Sequence, residues 1–309
     1  MRRWILRPAI LGVTGATLLL WLFGERWRPV RPSTLKGQKE GGVRGLRHLN
    51  GLHMYVYGRW TNQYLDVLIN RIQPRLDADG LRWWRDRYHA KVLTTEQAEA
   101  IVTHSHDIPL QDLGEQVIPF PMARDIVLAG NPDIAAYECG CRHARDEHCE
   151  PTQVCMVVGQ PFVDFVLEHN PQSSRRLSQE EAVELLRAEH ERGHVHSAWF
   201  KDATYGRFYT ICNCCSCCCG GIEAMVKYGS PVMASSGFVA RIEVEECAAC
   251  GDCAETCPFG AITVNGSAQL DWDACMGCGA CEPQCPQQAI SLVRDEGKGE
   301  PLDVRLLAP

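Results

Sequence analysis

Two stretches toward the carboxyl end carry the clearest chemistry of the sequence. Residues 245–258 read EECAACGDCAETCP and residues 273–286 read DACMGCGACEPQCP. Cys247, Cys250, Cys253 and Cys257 recur as Cys275, Cys278, Cys281 and Cys285 at a constant offset of 28 residues. Pro258 recurs as Pro286 and Ala261-Ile262 as Ala289-Ile290, so the duplication extends past the thiols. Each copy is C-x2-C-x2-C-x3-C-P, the spacing that holds a [4Fe-4S] cube. Three thiolates at steps of three wrap one corner of a cube, and the turn after them aims the fourth at a neighbouring cluster. A pair of zinc ribbons is the alternative, but four ligands per zinc do not account for an eight-thiol duplication.

A second constellation lies upstream. Residues 209–221 read YTICNCCSCCCGG, so Cys212, Cys214, Cys215, Cys217, Cys218 and Cys219 fall within eight residues. Before them come Cys139 and Cys141 in ECGCR, then Cys149 and Cys155. Adjacent cysteines point in different directions along a strand or a helix, so one cube does not engage the whole run. These ten thiols are candidate ligands of an additional Fe–S site, with two further four-thiolate sites as the alternative; a third cube would bring the chain to about 12 iron atoms. The competing readings are a zinc site or spare thiols acting as small buried hydrophobes. Packing alone does not call for three consecutive cysteines. Arg142 and Arg145 are candidates to offset cluster charge, as hydrogen-bonding groups around ligands do. His190, His194 and His196 read as solvated groups at a capped helix end, with a histidine ligand to the extra site, from these or from His143 and His148 among the cysteines, as the alternative; the His104 to Asp107 stretch receives no role.

The elements that position these residues are read from pattern. Tyr64, Leu65, Leu68, Ile69 and Ile72 predict a helix that ends at Pro74. A helix opens at Thr95 with Thr94 or Thr95 as cap. Residues 121–128 read as helical, and 134–139 as a strand delivering the first cysteines. Ser178 with Glu181 predicts a capping box, with a helix to Arg192 stopped by Gly193. A further helix covers 222–227. The chain of 309 residues has 45% hydrophobic and 22% charged residues, which excludes wholesale disorder. Its formal charge of -7 argues against nucleic-acid binding, and no Gly-rich fingerprint calls for a nucleotide cofactor. All 18 cysteines start at Cys139 and crowd together, which favours metal–thiolate chemistry over a secreted disulfide framework.

Residues 8–23 form a mostly apolar run between basic flanks, close to the length that crosses a bilayer, with Trp4, Trp21 and Trp27 as interfacial candidates. The expectation is an uncleaved membrane anchor over 1–28 with the remainder on the cytoplasmic face, because the heavier basic flank follows the run. The alternative is a periplasmic protein exported through a twin-arginine-like signal at Arg2-Arg3. The expected organisation is then a linker over 29–50, a mixed helix and strand domain with a cysteine-rich site over 51–236, a ferredoxin-like domain over 237–294 and a tail over 295–309. The fold class is α+β: a single transmembrane anchor, a mixed α/β middle and a C-terminal domain with an internal pseudo-twofold repeat.

From about Phe238 to Val293 the sequence resembles bacterial two-cluster 2[4Fe-4S] ferredoxins. That resemblance implies one cluster on Cys247, Cys250, Cys253 and Cys285, and another on Cys275, Cys278, Cys281 and Cys257. The upstream order CxCR, two spaced cysteines and CNCCxCCC resembles an uncharacterised group of ferredoxin-domain proteins, over about Ala123 to Val293. The function expected is single-electron transfer through two C-terminal [4Fe-4S] clusters and one further Fe–S cluster, with redox proteins, or a membrane oxidoreductase complex, as partners. This is an electron carrier or electron-transfer subunit more than a stand-alone enzyme. The alternative is a redox enzyme, or a subunit of one, whose metal site between Cys139 and Cys219 acts on a substrate; an open coordination position would mark it.

Overall fold

Short runs of β-branched and aromatic residues recur through the middle of the chain, and they pair into one sheet. A computed structural model describes residue 15 and residues 28–40, 47–111, 117–119, 125–128 and 130–307. Its first helices are α1 (Pro32–Glu40), α2 (Arg47–Arg59) and α3 (Thr61–Val67). The last runs into a π-helical turn over Leu68–Ile72, and Pro74 ends the pattern where the sequence predicts. Then come α4 (Ala78–Arg85), β1 (Tyr88–Leu93) and α5 (Thr95–Thr103), the last opened by a capping box of Thr94 and Gln97. A hairpin of β2 (Ile108–Gln111) and β3 (Asp125–Leu128) follows.

The cysteine-bearing middle is built from β4 (Ile134–Tyr137), α6 (Gly140–His143), β5 (Cys155–Val158), α7 (Phe162–His169), β6 (Ser174–Leu177) and α8 (Gln179–Glu191). It continues with β7 (Val195–Lys201), β8 (Phe208–Cys214), α9 (Gly220–Val226) and β9 (Met233–Ala234). The seven strands run in the order β6-β4-β5-β8-β7-β1-β9, antiparallel except for β1 beside β9. One face packs Ala198, Phe200 and Ile211 against Ile101 of α5 and Leu186 of α8. The other packs Ala135, Val157 and Trp199 against Tyr57, Leu65, Val163 and Ile222 from the remaining helices. Each fully buried side chain of this size contributes about 1.5–3 kcal/mol.

That second face is where the thiols gather, and strand periodicity explains it. Tyr137 on β4, Cys155 on β5, Trp199 and Lys201 on β7, and Cys212 and Cys214 on β8 all line one cavity. Along β7 and β8 these are alternate residues, which a pleated strand turns to the same side. Tyr209 would break the alternation, but the β7–β8 register shifts between Trp199 and Phe200, so that Thr210 pairs with Trp199 and Phe208 with Phe200. The bulge carries Tyr209 onto the thiol face as well.

The carboxyl part holds β10 (Phe238–Ile242), α10 (Asp252–Thr256), β11 (Ile262–Asn265), β12 (Ser267–Leu270) and β13 (Ile290–Arg294). The outer strands β10 and β13 pair antiparallel, as do the inner strands β11 and β12. Beyond β13 the chain returns to the large sheet. Lys91 donates to the Glu300 carbonyl at 2.7 Å, and Leu302 and Val304 enter the core of the α5–α8 face.

Several expectations are corrected. No helix among the described residues is long and apolar enough to cross a membrane. The longest, α2 and α8, have 13 residues, where a span needs about 20. This overturns the expected transmembrane anchor and the membrane-anchored localisation; the apolar run of 8–23, apart from residue 15, lies outside the described residues. The expected linker over 29–50 contains α1 and the start of α2, because Thr34 bonds His169 and Ser33 bonds Glu168, which fastens the segment to α7. The helix expected over 121–128 is a strand at 125–128, where β-branched residues pair with β2; 121–124 lie outside the described residues.

Candidate metal centres

The eight carboxyl-terminal cysteines divide between two cavities. Cys247, Cys250, Cys253 and Cys285 line one. Cys257, Cys275, Cys278 and Cys281 line the other. Backbone amides point at the sulfurs: Ala249 and Ala268 donate to Cys247 at 3.4 Å, and Ala261 donates to Cys257 and Ala289 to Cys285 at 3.3 Å. The last two bonds repeat at the sequence offset. Those from Ala268 and Ala249 hold the Cys247 thiol below its ordinary pKa, which favours a thiolate. Burial pushes Cys278 up to about 12, so its thiolate needs a compensating positive centre. Convergent thiols and inward amides suit a negatively charged iron–sulfur cube. Gly277 sits at φ +61°, and a Cβ there would fall 2.1 Å from the Phe238 carbonyl oxygen. Only glycine lets this loop lie so close to β10.

The two cavities differ in setting. Cys250 is exposed, and exposed Glu243, Glu245, Glu246, Asp252 and Glu255 flank it along the sequence. Cys278 is buried and joins the same packed core as Cys214, Cys219 and Trp199, with Met276 and Phe259 against it.

The ten upstream thiols also separate into two groups. Cys149, Cys215, Cys217 and Cys218 have sulfurs all within 4.8 Å of one another. Cys217 lies 3.6 Å from Cys149 and 3.3 Å from Cys218. Four thiolates around one tetrahedral ion, with metal–sulfur bonds of about 2.3 Å, sit about 3.8 Å apart. Thiolates on the corners of a cube stand roughly 6 Å apart, so this knot suits a single ion. Cys139, Cys141, Cys155, Cys212, Cys214 and Cys219 instead line a separate cavity, which Cys215 of the first group also touches. The ten candidate thiols, expected to supply one additional cluster with two as the alternative, thus fall into two groups. Direction along the chain does this: Cys214 ends β8 in the cavity wall, while the turn opened by Cys215 brings Cys217 and Cys218 to Cys149.

Cys139 and Cys219 occupy the N-cap positions of α6 and α9. A Cβ on Gly220 would lie 2.7 Å from Ile69, so glycine lets the helices of the first hundred residues close over the thiols. Lys201 reaches the cavity from β7. Its ammonium donates to the Tyr57 hydroxyl and lies over the rings of Tyr57, Tyr88, Trp199 and Tyr209. Burial pushes its pKa down to about 8, against the pull of Cys212 and Cys141. Among the described residues no carboxylate forms an ion pair with it. Pattern reading missed Lys201; the available signal was a lone cation on the Trp199 side of an otherwise buried strand.

Arg142 and Arg145 lie beside the thiols but also have carboxylate partners, Glu189 at 3.0 Å and Glu223 at 2.5 Å. The histidines differ from expectation. His196 is fully buried against Asn213 at 2.6 Å, and burial pushes its pKa down to about 4. His194 bonds Glu189 at 2.7 Å and His143 bonds Glu138 at 2.9 Å. The solvated helix end is thus partly a buried polar network, and among the described residues no histidine lines the thiol cavity.

The family described as 4Fe-4S binding domain matches residues 240–263 and 268–291, two consecutive repeats. The chain therefore ends in a ferredoxin domain. Such a domain binds [4Fe-4S] clusters and gives the protein an iron–sulfur electron-transfer role, with which the thiol knot at Cys149 is compatible. The matched residues stop short of the upstream cysteine block, so the wider resemblance to a group carrying that block has no support from the match. The chain matches no curated protein.

Proposed function

We propose that the protein is an electron relay in which the ferredoxin domain connects an external redox partner to buried metal centres in the middle of the chain. In this reading Cys247, Cys250, Cys253 and Cys285 hold the outer [4Fe-4S] cluster, and Cys257, Cys275, Cys278 and Cys281 hold the inner one. The clusters supply one-electron chemistry when bound. The observation that carries the reading is the shared core: Cys278 packs in the same cluster of buried side chains as Cys214 and Cys219. Exposed Cys250 marks the side open to a partner, and its acidic rim suits a protein with a basic docking face. The purely cysteine composition of both upstream groups favours relay over substrate binding.

The test is reduction of the full-length, anaerobically prepared protein by a one-electron donor, followed by rapid mixing and EPR. Cys278→Ser is expected to slow reduction of the upstream centre at least tenfold while the outer-cluster signal forms normally. Unchanged upstream kinetics would refute the relay.

A further inference from the structure

Cys139, Cys141, Cys155, Cys212, Cys214 and Cys219 ring the cavity into which Lys201 reaches, and neighbouring thiols of the ring shift one another's ionisation. We infer that this ring of six thiols binds one iron–sulfur cluster larger than a cube, anchored by six thiolates and balanced by Lys201.

Three observations carry this. The first is ligand number: a cube takes four thiolates, and six thiols remain in this lining once Cys215, which also touches it, is given to the Cys149 knot. Cys149, Cys215, Cys217 and Cys218 already form their own knot, so the six are not leftovers of another site. The second is enclosure. Cys139, Cys155, Cys214 and Cys219 are all buried, so the ring holds its sulfurs away from water as the inner ferredoxin cavity does. The third is charge. Lys201 is 4% exposed, and its ammonium has a phenol and aromatic faces but no ion-paired carboxylate among the described residues. An unpaired buried cation is costly, and an anionic cluster beside it removes that cost.

The inference deepens the relay reading and rests on the middle of the chain holding metal, and the experiment separates the two. Native mass spectrometry of the full-length protein, prepared without oxygen, counts iron and sulfide in the fully loaded species. The two ferredoxin cubes and one ion at Cys149 account for about 9 metal atoms, and a cube in the ring would make about 13. More than about 13 is expected. A count between about 9 and 13 overturns the larger cluster and leaves the relay standing, whereas about 8 or fewer, the ferredoxin cubes alone, removes both. Single Cys→Ser changes at each of the six ring positions supply a second measurement. All six are expected to lower the iron content while the ferredoxin EPR signals persist, which reports that the chain has folded. Two positions that keep the full iron content would show a four-ligand cluster and overturn the inference.

Discussion

The Lys201 ammonium donates to the hydroxyl of Tyr57, which lies 2.6 Å from the hydroxyl of Tyr209. One cation and a pair of phenols from α2, β7 and β8 thus form the floor beneath the thiols. Removing the charge should make the upstream centre harder to reduce. At a separation of several ångströms and an effective dielectric near 20, Lys201→Met is expected to lower its midpoint potential by on the order of 100 mV. A redox titration followed by EPR measures this, with the ferredoxin signals as the unchanged reference. Equal potentials in the two proteins would show that the ammonium does not face the centre.

Gly277 carries a sharper expectation. Alanine there sets a Cβ against the Phe238 backbone, which cannot swing aside as a side chain would. Gly277→Ala should cost about 2 kcal/mol or more in the inner loop and release about four irons. The outer-cluster signal should remain, and loss of both signals would mean that the domain fails as a unit.

The buried pair of Arg142 and Glu189 offers a stability test. Both side chains are fully buried and 3.0 Å apart. Burial works against ionisation of Glu189, but hydrogen bonding from His194 and the nearby Arg142 charge outweigh it and hold the carboxyl below its ordinary range. Glu189→Gln should destabilise the protein by about 3–5 kcal/mol, because the guanidinium is left unpaired. The double change Arg142→Met with Glu189→Met should recover much of that loss. Thermal denaturation of the metal-loaded proteins checks both.

Acid should weaken the sheet before it protonates most carboxylates. Burial pushes His89 on β1 down to about 4. Between that value and the ordinary histidine value of about 6.5 the unfolded chain binds a proton that the folded chain excludes, so stability falls as pH falls through this window. The loss from His89 should reach up to about 3 kcal/mol. Denaturant titrations from pH 7 to 4 measure it, and His89→Leu should flatten the curve. A parallel curve for the variant would assign the effect elsewhere.

The ferredoxin domain was legible because its ligands repeat in one short register, with Pro258 and Pro286 as markers, and because hairpin pairing is local. The cap at Ser178 and the helix stop before Pro74 were legible for the same reason: their partners lie within four residues. The division of the upstream thiols was only half legible. Alternation separates Cys214 from Cys215, but the joining of Cys139, Cys155 and Cys219 across β4, β5 and α9 depends on strand order. Lys201 was hidden for a related reason, since its neighbours Tyr57 and Tyr209 reach it through α2 and a bulge. The residues over 29–50 read as linker because Pro and Gly dominate them, and their anchoring to α7 is a long-range effect.

The ferredoxin domain is moored at two points. On its amino side, Ser236 donates its amide to the Met276 carbonyl at 3.1 Å and its hydroxyl to that of Gly277 at 2.6 Å. On its carboxyl side, Glu300, Leu302 and Val304 grip the β1 and α5 region. A module hitched fore and aft cannot swivel between donor and acceptor as a hinged shuttle does. The inner gap is therefore constant, and turnover should follow how fast a partner lands and leaves at the acidic rim.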